Sequence, residues 1–215
     1  MTSQIENNTV APNEQYSRLA NDTQIMRTAQ SLEAHGIHAI IAANGEETRT
    51  KLLELLPEGA EVFLGSSDTV KELGLKEIVD NSERFNSVRV RLAKMDSSTQ
   101  NREMIKMGAV PEYIIGSVQA VTEDGSVVIA SNTGSQLAPY AASAAHVIWV
   151  VGSQKIVRTL EEGFERVYQY ALPLEDARLM KEYGMRSSVN KMLIIHKEVI
   201  PGRTTIILVK EKLGF

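Results

Sequence analysis

A three-layer α/β/α fold around a mostly parallel, partly mixed central sheet is what this sequence predicts. Three observations carry that reading. From Ile37 onward, short apolar runs of strand character alternate with segments of helical spacing, the pattern of a parallel sheet covered on both faces. The run Val147-Ile148-Trp149-Val150-Val151 has no polar face, as expected of a strand buried on both sides. Asp124-Gly125 between Val-rich flanks is a hairpin signal, so some antiparallel pairing joins the sheet.

Each element follows from its local pattern. Residues 1–12 are polar and are expected to be disordered, leaving 13–215 as one α/β domain. Between Asn13 and His35, Tyr16, Leu19, Ala20, Ile25, Met26, Ala29 and Leu32 fall at helical spacing, and Gly36 is a stop signal. Ile37–Ala43 reads as a buried strand, Glu46–Leu56 as a helix ended by Pro57-Glu58-Gly59, and Glu61–Gly65 as the next strand. Ser66-Ser67-Asp68 opens a helix to about Leu73, and another runs from Leu75 to about Asn81. Val88-Arg89-Val90-Arg91-Leu92 alternates with period two and predicts a strand with one basic face. Ser97 or Ser98 is expected to cap a helix ending near Gly108. Arg158–Tyr170 and Leu174–Tyr183 read as helices. Met192–Val199 and Thr204–Val209 read as strands of a second hairpin, turned by Pro201-Gly202.

Composition narrows the function. The net charge of −4 offers no basic footprint for nucleic acid. The absence of cysteine excludes disulfides, thiolate nucleophiles and iron–sulfur clusters or other cofactors bound through cysteine. No apolar stretch approaches the ~20 residues of a membrane span, and Met1–Val10 lacks the basic start and apolar core of a secretory signal. A cytoplasmic protein with no membrane partner is the expectation. Neither GxGxxG nor a P-loop is present, and the four histidines show no HExxH or other metal-ligand spacing. Whether the chain forms a homo-oligomer is left open.

Chemistry concentrates in Gly/Ser loops at the predicted strand ends, where open α/β sheets place their ligands. Glu123 sits on the hairpin turn; it is either a solvated tip or a nucleophile or base served by N–H donors from Gly116, Ser117 or Gly134. Asn132-Thr133-Gly134-Ser135 precedes a helical segment and reads both as a cap and as a phosphate- or carboxylate-binding turn. Gly65-Ser66 is a similar turn, although Asp68 opposes an anion there. Lys155, in Gly152-Ser153-Gln154-Lys155, is either solvated or a point charge for a substrate phosphate or carboxylate. Arg89 and Arg91 suit a crevice for acids as well as a charged edge strand.

Ile115-Gly116-Ser117, Thr122-Glu123-Asp124-Gly125-Ser126, Asn132-Thr133-Gly134, the run from Val147 to Val157, and the closing segment from Arg203 to Phe215 together resemble the LUD (lactate-utilisation) domain family in its short, single-domain form. The resemblance extends from about Ala29 to the C-terminus. It implies a fold similar to the ribose-5-phosphate isomerase and CoA-transferase superfamily. It also implies a part in lactate or other organic-acid utilisation, with a small carboxylate or phosphorylated metabolite bound at the strand ends. Thr122-Glu123-Asp124-Gly125 is similar to the Ser-Glu-Asn-Gly segment in which some CoA-transferases carry their nucleophile. A CoA-transferase or sugar-phosphate isomerase using Glu123 is therefore the rival enzyme class, and a non-catalytic subunit docking an iron–sulfur oxidoreductase is a third reading. Many short family members carry a cysteine-rich segment where this chain has Lys181–Lys191 without cysteine, so redox centres would have to come from partners or a diffusible cofactor.

Overall fold

A computed structural model describes residues 11–215. The expected disordered segment falls, for residues 1–10, outside the described residues. The chain runs through α1 (Asp22–Ala34), β1 (His38–Ala42), α2 (Gly45–Glu54), β2 (Glu61–Leu64), α3 (Asp68–Glu72), α4 (Leu75–Asp80), β3 (Asn86–Ser87), α5 (Val88–Leu92) and α6 (Asn101–Ala109). It continues with β4 (Tyr113–Gly116), β5 (Ala120–Thr122), β6 (Val127–Ser131), β7 (His146–Gly152), β8 (Ile156–Val157), α7 (Leu160–Arg166), α8 (Leu172–Tyr183), β9 (Lys191–Ile195) and β10 (Thr204–Val209).

Six strands form the central sheet in the order β1-β10-β7-β4-β2-β3, and every pairing in it is parallel. Antiparallel pairing is gathered into a second sheet, β8-β5-β6-β9, where β5 and β6 form the hairpin expected at Asp124-Gly125. The alternation along β7 explains why that run is apolar throughout. Ile148 and Val150 pack with α2, α3 and α4 on one face, through Leu52, Val70, Leu73 and Val79. Val147, Trp149 and Val151 pack on the other face with Ile25 and Leu32 of α1 and with Val121, Val127 and Ile129 of the second sheet. The outer face of the second sheet (Ala120, Val128, Val157) is covered by Val167 and Tyr170. The result is an α/β fold with helices on both faces of the parallel sheet.

Four local expectations are corrected. Val88–Leu92 is a helical turn, not a strand: the Ser87 hydroxyl caps it by accepting from Val90 N–H at 3.2 Å and donates to Asp80 at 2.6 Å. Five residues are too few for a period of two to be told from one and a half helical turns. The following helix begins at Asn101 and not at Ser97 or Ser98, because Asp96 folds those serines into a turn by accepting from Ser98 N–H and Oγ and from Thr99 Oγ1. The second hairpin is also absent. β9 pairs antiparallel with β6, whereas β10 inserts parallel between β1 and β7. β10 is buried at every position and can be covered only inside the large sheet, while β9 is partly exposed along its length. The two predicted late helices also merge, joined by one π-helical turn over Val167–Ala171 just ahead of Pro173. A wider turn accommodates the carbonyl that proline cannot serve.

Candidate functional site

β2, β4 and β7 are neighbours in the parallel sheet, so their C-terminal ends lie on one edge. That brings three of the predicted loops together: Gly65-Ser66, Gly116-Ser117 and Gly152–Lys155. At their centre is Lys155, only 2% exposed. Its Nζ donates to Ser117 Oγ at 3.0 Å and to Thr69 Oγ1, on α3, at 3.1 Å. Both hydroxyls spend their own hydrogens elsewhere, Ser117 on Val150 O at 2.7 Å and Thr69 on Leu213 O at 3.2 Å or on Ser117 Oγ at 3.4 Å. Lys155 has no carboxylate within ion-pair distance among the described residues. Burial, reinforced by the nearby Arg166 charge, lowers its amine from 10.5 to about 7, against a smaller opposing pull from Glu72 and Asp68.

Arg166 is a second buried cation, 0% exposed. It donates from Nε to Gln154 O at 3.2 Å and from Nη1 to Gln119 O, and its guanidinium lies 5.1 Å from the Tyr170 ring centre. Two cations this deep without carboxylates are costly unless one sheds its proton. Lysine can do so, but arginine cannot.

The segment after β10 closes the site from one side. Gln154 Nε2 donates to Leu213 O at 2.9 Å and to Gly214 O at 3.2 Å, and Gly214 N–H donates to Glu72 at 2.7 Å. Gly214 adopts φ +58, and a Cβ there would lie 2.5 Å from Thr69 Oγ1. Toward solvent, the cluster presents the half-buried Ser117 and the Gly65–Asp68 turn. Arg89 of α5 donates from Nε to Leu64 O at 2.6 Å and from Nη2 to Ser66 Oγ at 2.7 Å, and it too makes no ion pair among the described residues. Burial raises the Asp68 carboxyl above its ordinary value despite the Arg178 charge.

Tyr140 forms the floor. It is 2% exposed, and its ring meets Trp149 edge-on with centroids 5.4 Å apart. A Cβ on Gly116 would lie 1.8 Å from the Tyr140 hydroxyl, and one on Gly65 3.2 Å from it. Gly116 is therefore required for close packing around this phenol, and Gly65 leaves it only a tight fit. Gly116→Ala should destabilise the protein by roughly 1–3 kcal/mol through overpacking. Denaturant unfolding checks this, and a Tyr140→Phe background should recover part of the loss.

The other predicted residues lie apart from this cluster. The Glu123 carboxylate accepts from Gln24 Nε2 at 3.0 Å and Arg27 Nη1 at 2.8 Å, tying the β5–β6 hairpin to α1. Asn132–Ser135 ends β6 in the second sheet. Asn132 accepts from Asn190 at 3.0 Å, Thr133 O accepts from Lys191 Nζ at 2.6 Å, and Gly134 N–H donates to Ser131 Oγ at 2.8 Å. Ser135 N–H turns back to Thr133 Oγ1 at 3.3 Å, and no hydrogen bond among the described residues joins this turn to Lys155. The helical segment after it is one π-helical turn, Pro139–Ser143, which carries Tyr140. Arg91 pairs with Glu61, and His146 stacks on Tyr113 at 4.5 Å.

Sequence reasoning missed Thr69, Arg166, Gln154 and Tyr140 as members or supports of the site. Tyr140 had a signal, being the one aromatic residue between Gln136 and Ala145. Arg166 had none, since an arginine in an amphipathic helix reads as solvated. Among the described residues, no cluster of three or more His, Asp or Glu could hold a metal ion, and no helix is long and apolar enough to cross a membrane.

Comparison with known proteins agrees with this architecture. A family model for the LUD domain matches residues 25–209. Among solved structures, the chain is similar to a DUF162 family protein from Deinococcus radiodurans, with a TM-score of 0.56 and 13% identity over 89% of this chain and 99% of that one. At that identity the likeness speaks for the fold alone. No curated protein matches the sequence. With its central block, both sheets and the strand-end loops all inside the matched span, the chain belongs to the LUD domain family.

Proposed function

We propose that this protein binds a small carboxylate or phosphorylated metabolite at the C-terminal ends of β2, β4 and β7, as a component of lactate-type organic-acid utilisation. One observation carries the reading: Lys155 is buried among hydroxyls with no carboxylate among the described residues to balance it. A buried amine of this kind destabilises the empty protein when protonated, and an anionic ligand would supply the missing counter-charge. Arg89, also without an ion pair among the described residues, stands at the same edge beside Ser66. Because the chain has no cysteine, any redox centre in such a process would come from partners, such as an iron–sulfur oxidoreductase, or from a diffusible cofactor. The superfamily relationship to CoA-transferases and sugar-phosphate isomerases belongs to this proposal as well. An acyl-transfer or proton-abstraction role for Glu123 is less well supported, since Arg27 and Gln24 already hold both its oxygens and reduce its nucleophilicity.

Thermal unfolding with lactate, glycolate, pyruvate and ribose 5-phosphate tests the proposal. A ligand present at about 100 times its Kd stabilises by roughly 2.7 kcal/mol, a rise in Tm of about 5–10 °C for a chain of this size. Flat curves with all four anions would overturn it.

A further inference from the structure

The donor count at Lys155 says more than that a positive charge is wanted. An ammonium has three N–H donors, whereas a neutral amine has two donors and a lone pair. Among the described residues two acceptors are present, Ser117 Oγ and Thr69 Oγ1; the Ser117 hydrogen goes to Val150 O, and the Thr69 hydrogen goes to Leu213 O at 3.2 Å or to Ser117 Oγ at 3.4 Å, so both oxygens are left to accept from the amine. The arrangement therefore matches the neutral amine, with both hydrogens engaged and the lone pair unoccupied. A neutral amine in a desolvated strand-end cluster is a nucleophile toward carbonyl carbon.

We infer that Lys155 forms an imine with a small carbonyl-bearing acid of the 2-oxo acid class, with Ser117 and Thr69 holding the amine and Arg89 serving the acid group. This rests on the anion-binding reading above and names the ligand class it would take. The step balances without an oxidant or reductant. The Nζ lone pair bonds to the carbonyl carbon as the C=O π pair moves to oxygen, which takes up a proton. The carbinolamine then loses its hydroxyl together with a nitrogen proton as water, leaving C=N. The acid would have to reach the amine from the solvent-facing side of the cluster, where Ser117 and the Gly65–Asp68 turn are partly exposed. At pH 7 an amine lowered to about 7 is roughly half neutral, on the order of a thousandfold more than a surface lysine.

The test incubates the full chain with pyruvate or glyoxylate and sodium cyanoborohydride at neutral pH, then maps the reduced adduct by peptide mass spectrometry. The expected result is one adduct per chain on Lys155, forming at least about tenfold faster than on any surface lysine, slowed by lactate, and absent from Lys155→Met. Mapping within the unmutated protein keeps the result independent of how the variant folds. Lactate-induced stabilisation with adducts on surface lysines only would overturn the imine and leave the anion site standing. Neither stabilisation nor a Lys155 adduct would overturn both. A Lys155 adduct without stabilisation by the non-reactive hydroxy acids would support the imine and confine the anion site to carbonyl-bearing acids.

Discussion

Lys155→Met should make the protein more stable at neutral pH, by roughly 2 kcal/mol or more, a gain in Tm of about 4–8 °C. Most changes to a residue only 2% exposed do the reverse. Burial lowers the amine from 10.5 in the ordinary state to about 7 in the folded one. Between these two values the unfolded chain holds a proton that the folded chain has released, so stability climbs as pH rises from about 7 to 10.5. The destabilisation is fully present below pH 7 and is gone above the upper limit. Methionine fills nearly the same volume with no charge to desolvate. It leaves neither hydroxyl with an unserved hydrogen, because Ser117 still donates to Val150 O and Thr69 to Leu213 O. Unfolding curves at several pH values check both parts. The variant should be more stable at pH 7, and the rise toward pH 10 seen in the unmutated protein should be flattened. Under the proposed function the same variant should lose the stabilisation given by small anions. Stability gained together with binding lost is the signature of a residue retained for chemistry.

Arg203→Met should act in the opposite direction, destabilising by roughly 3–5 kcal/mol. Arg203 and Glu198 form an ion pair at 2.6 Å with side chains 3% and 9% exposed. Arg203 also donates to Ala144 O at 3.1 Å, Pro139 O at 2.8 Å and Tyr140 O at 3.2 Å. It thereby fastens the π-helical turn that holds Tyr140 under Gly65 and Gly116. Removing it strands a buried carboxylate and frees that turn. Burial by itself pushes the Glu198 carboxyl up, but hydrogen bonds from Ile200 N–H, Arg203 and Thr204 together hold it below its ordinary value. A lowered carboxyl contributes stability above its unfolded pKa and loses it as pH falls through the folded value, so the acid limb of the stability profile should shrink in the variant. Chemical denaturation of Arg203→Met, Glu198→Gln and the double variant measures the coupling. The double variant should be less destabilised than the sum of the single ones.

Much of the fold was legible because it follows from which faces are apolar. β7 read as a buried strand from its unbroken apolar run, Thr204–Val209 read as a strand, and Asp124-Gly125 marked the β5–β6 hairpin. The errors fell where local pattern underdetermines partners. Val88–Leu92 carries a strand-like alternation that Ser87 converts into a helix start. Pro201-Gly202 is a turn, but the strands on either side of it belong to different sheets, because one must be covered on both faces and the other need not be.

The candidate site divides in the same way. Gly65, Gly116 and Lys155 were readable as strand-end residues because a parallel sheet must place the C-terminal ends of its strands on one edge. That Glu123 would be engaged by α1, that Asn132–Ser135 would end a strand of the second sheet, and that Thr69 and Tyr140 would meet the strand ends depend on contacts between segments far apart in the chain. The state of Lys155 depends on them most of all. In the sequence it is a lysine following a strand. In the folded protein, Leu213 and Gly214 pack against its partners, Arg166 adds a second positive charge nearby, and two hydroxyls accept its hydrogens. Desolvation and the direction of hydrogen bonds are properties of that packing, and no periodicity or spacing along the chain reports them.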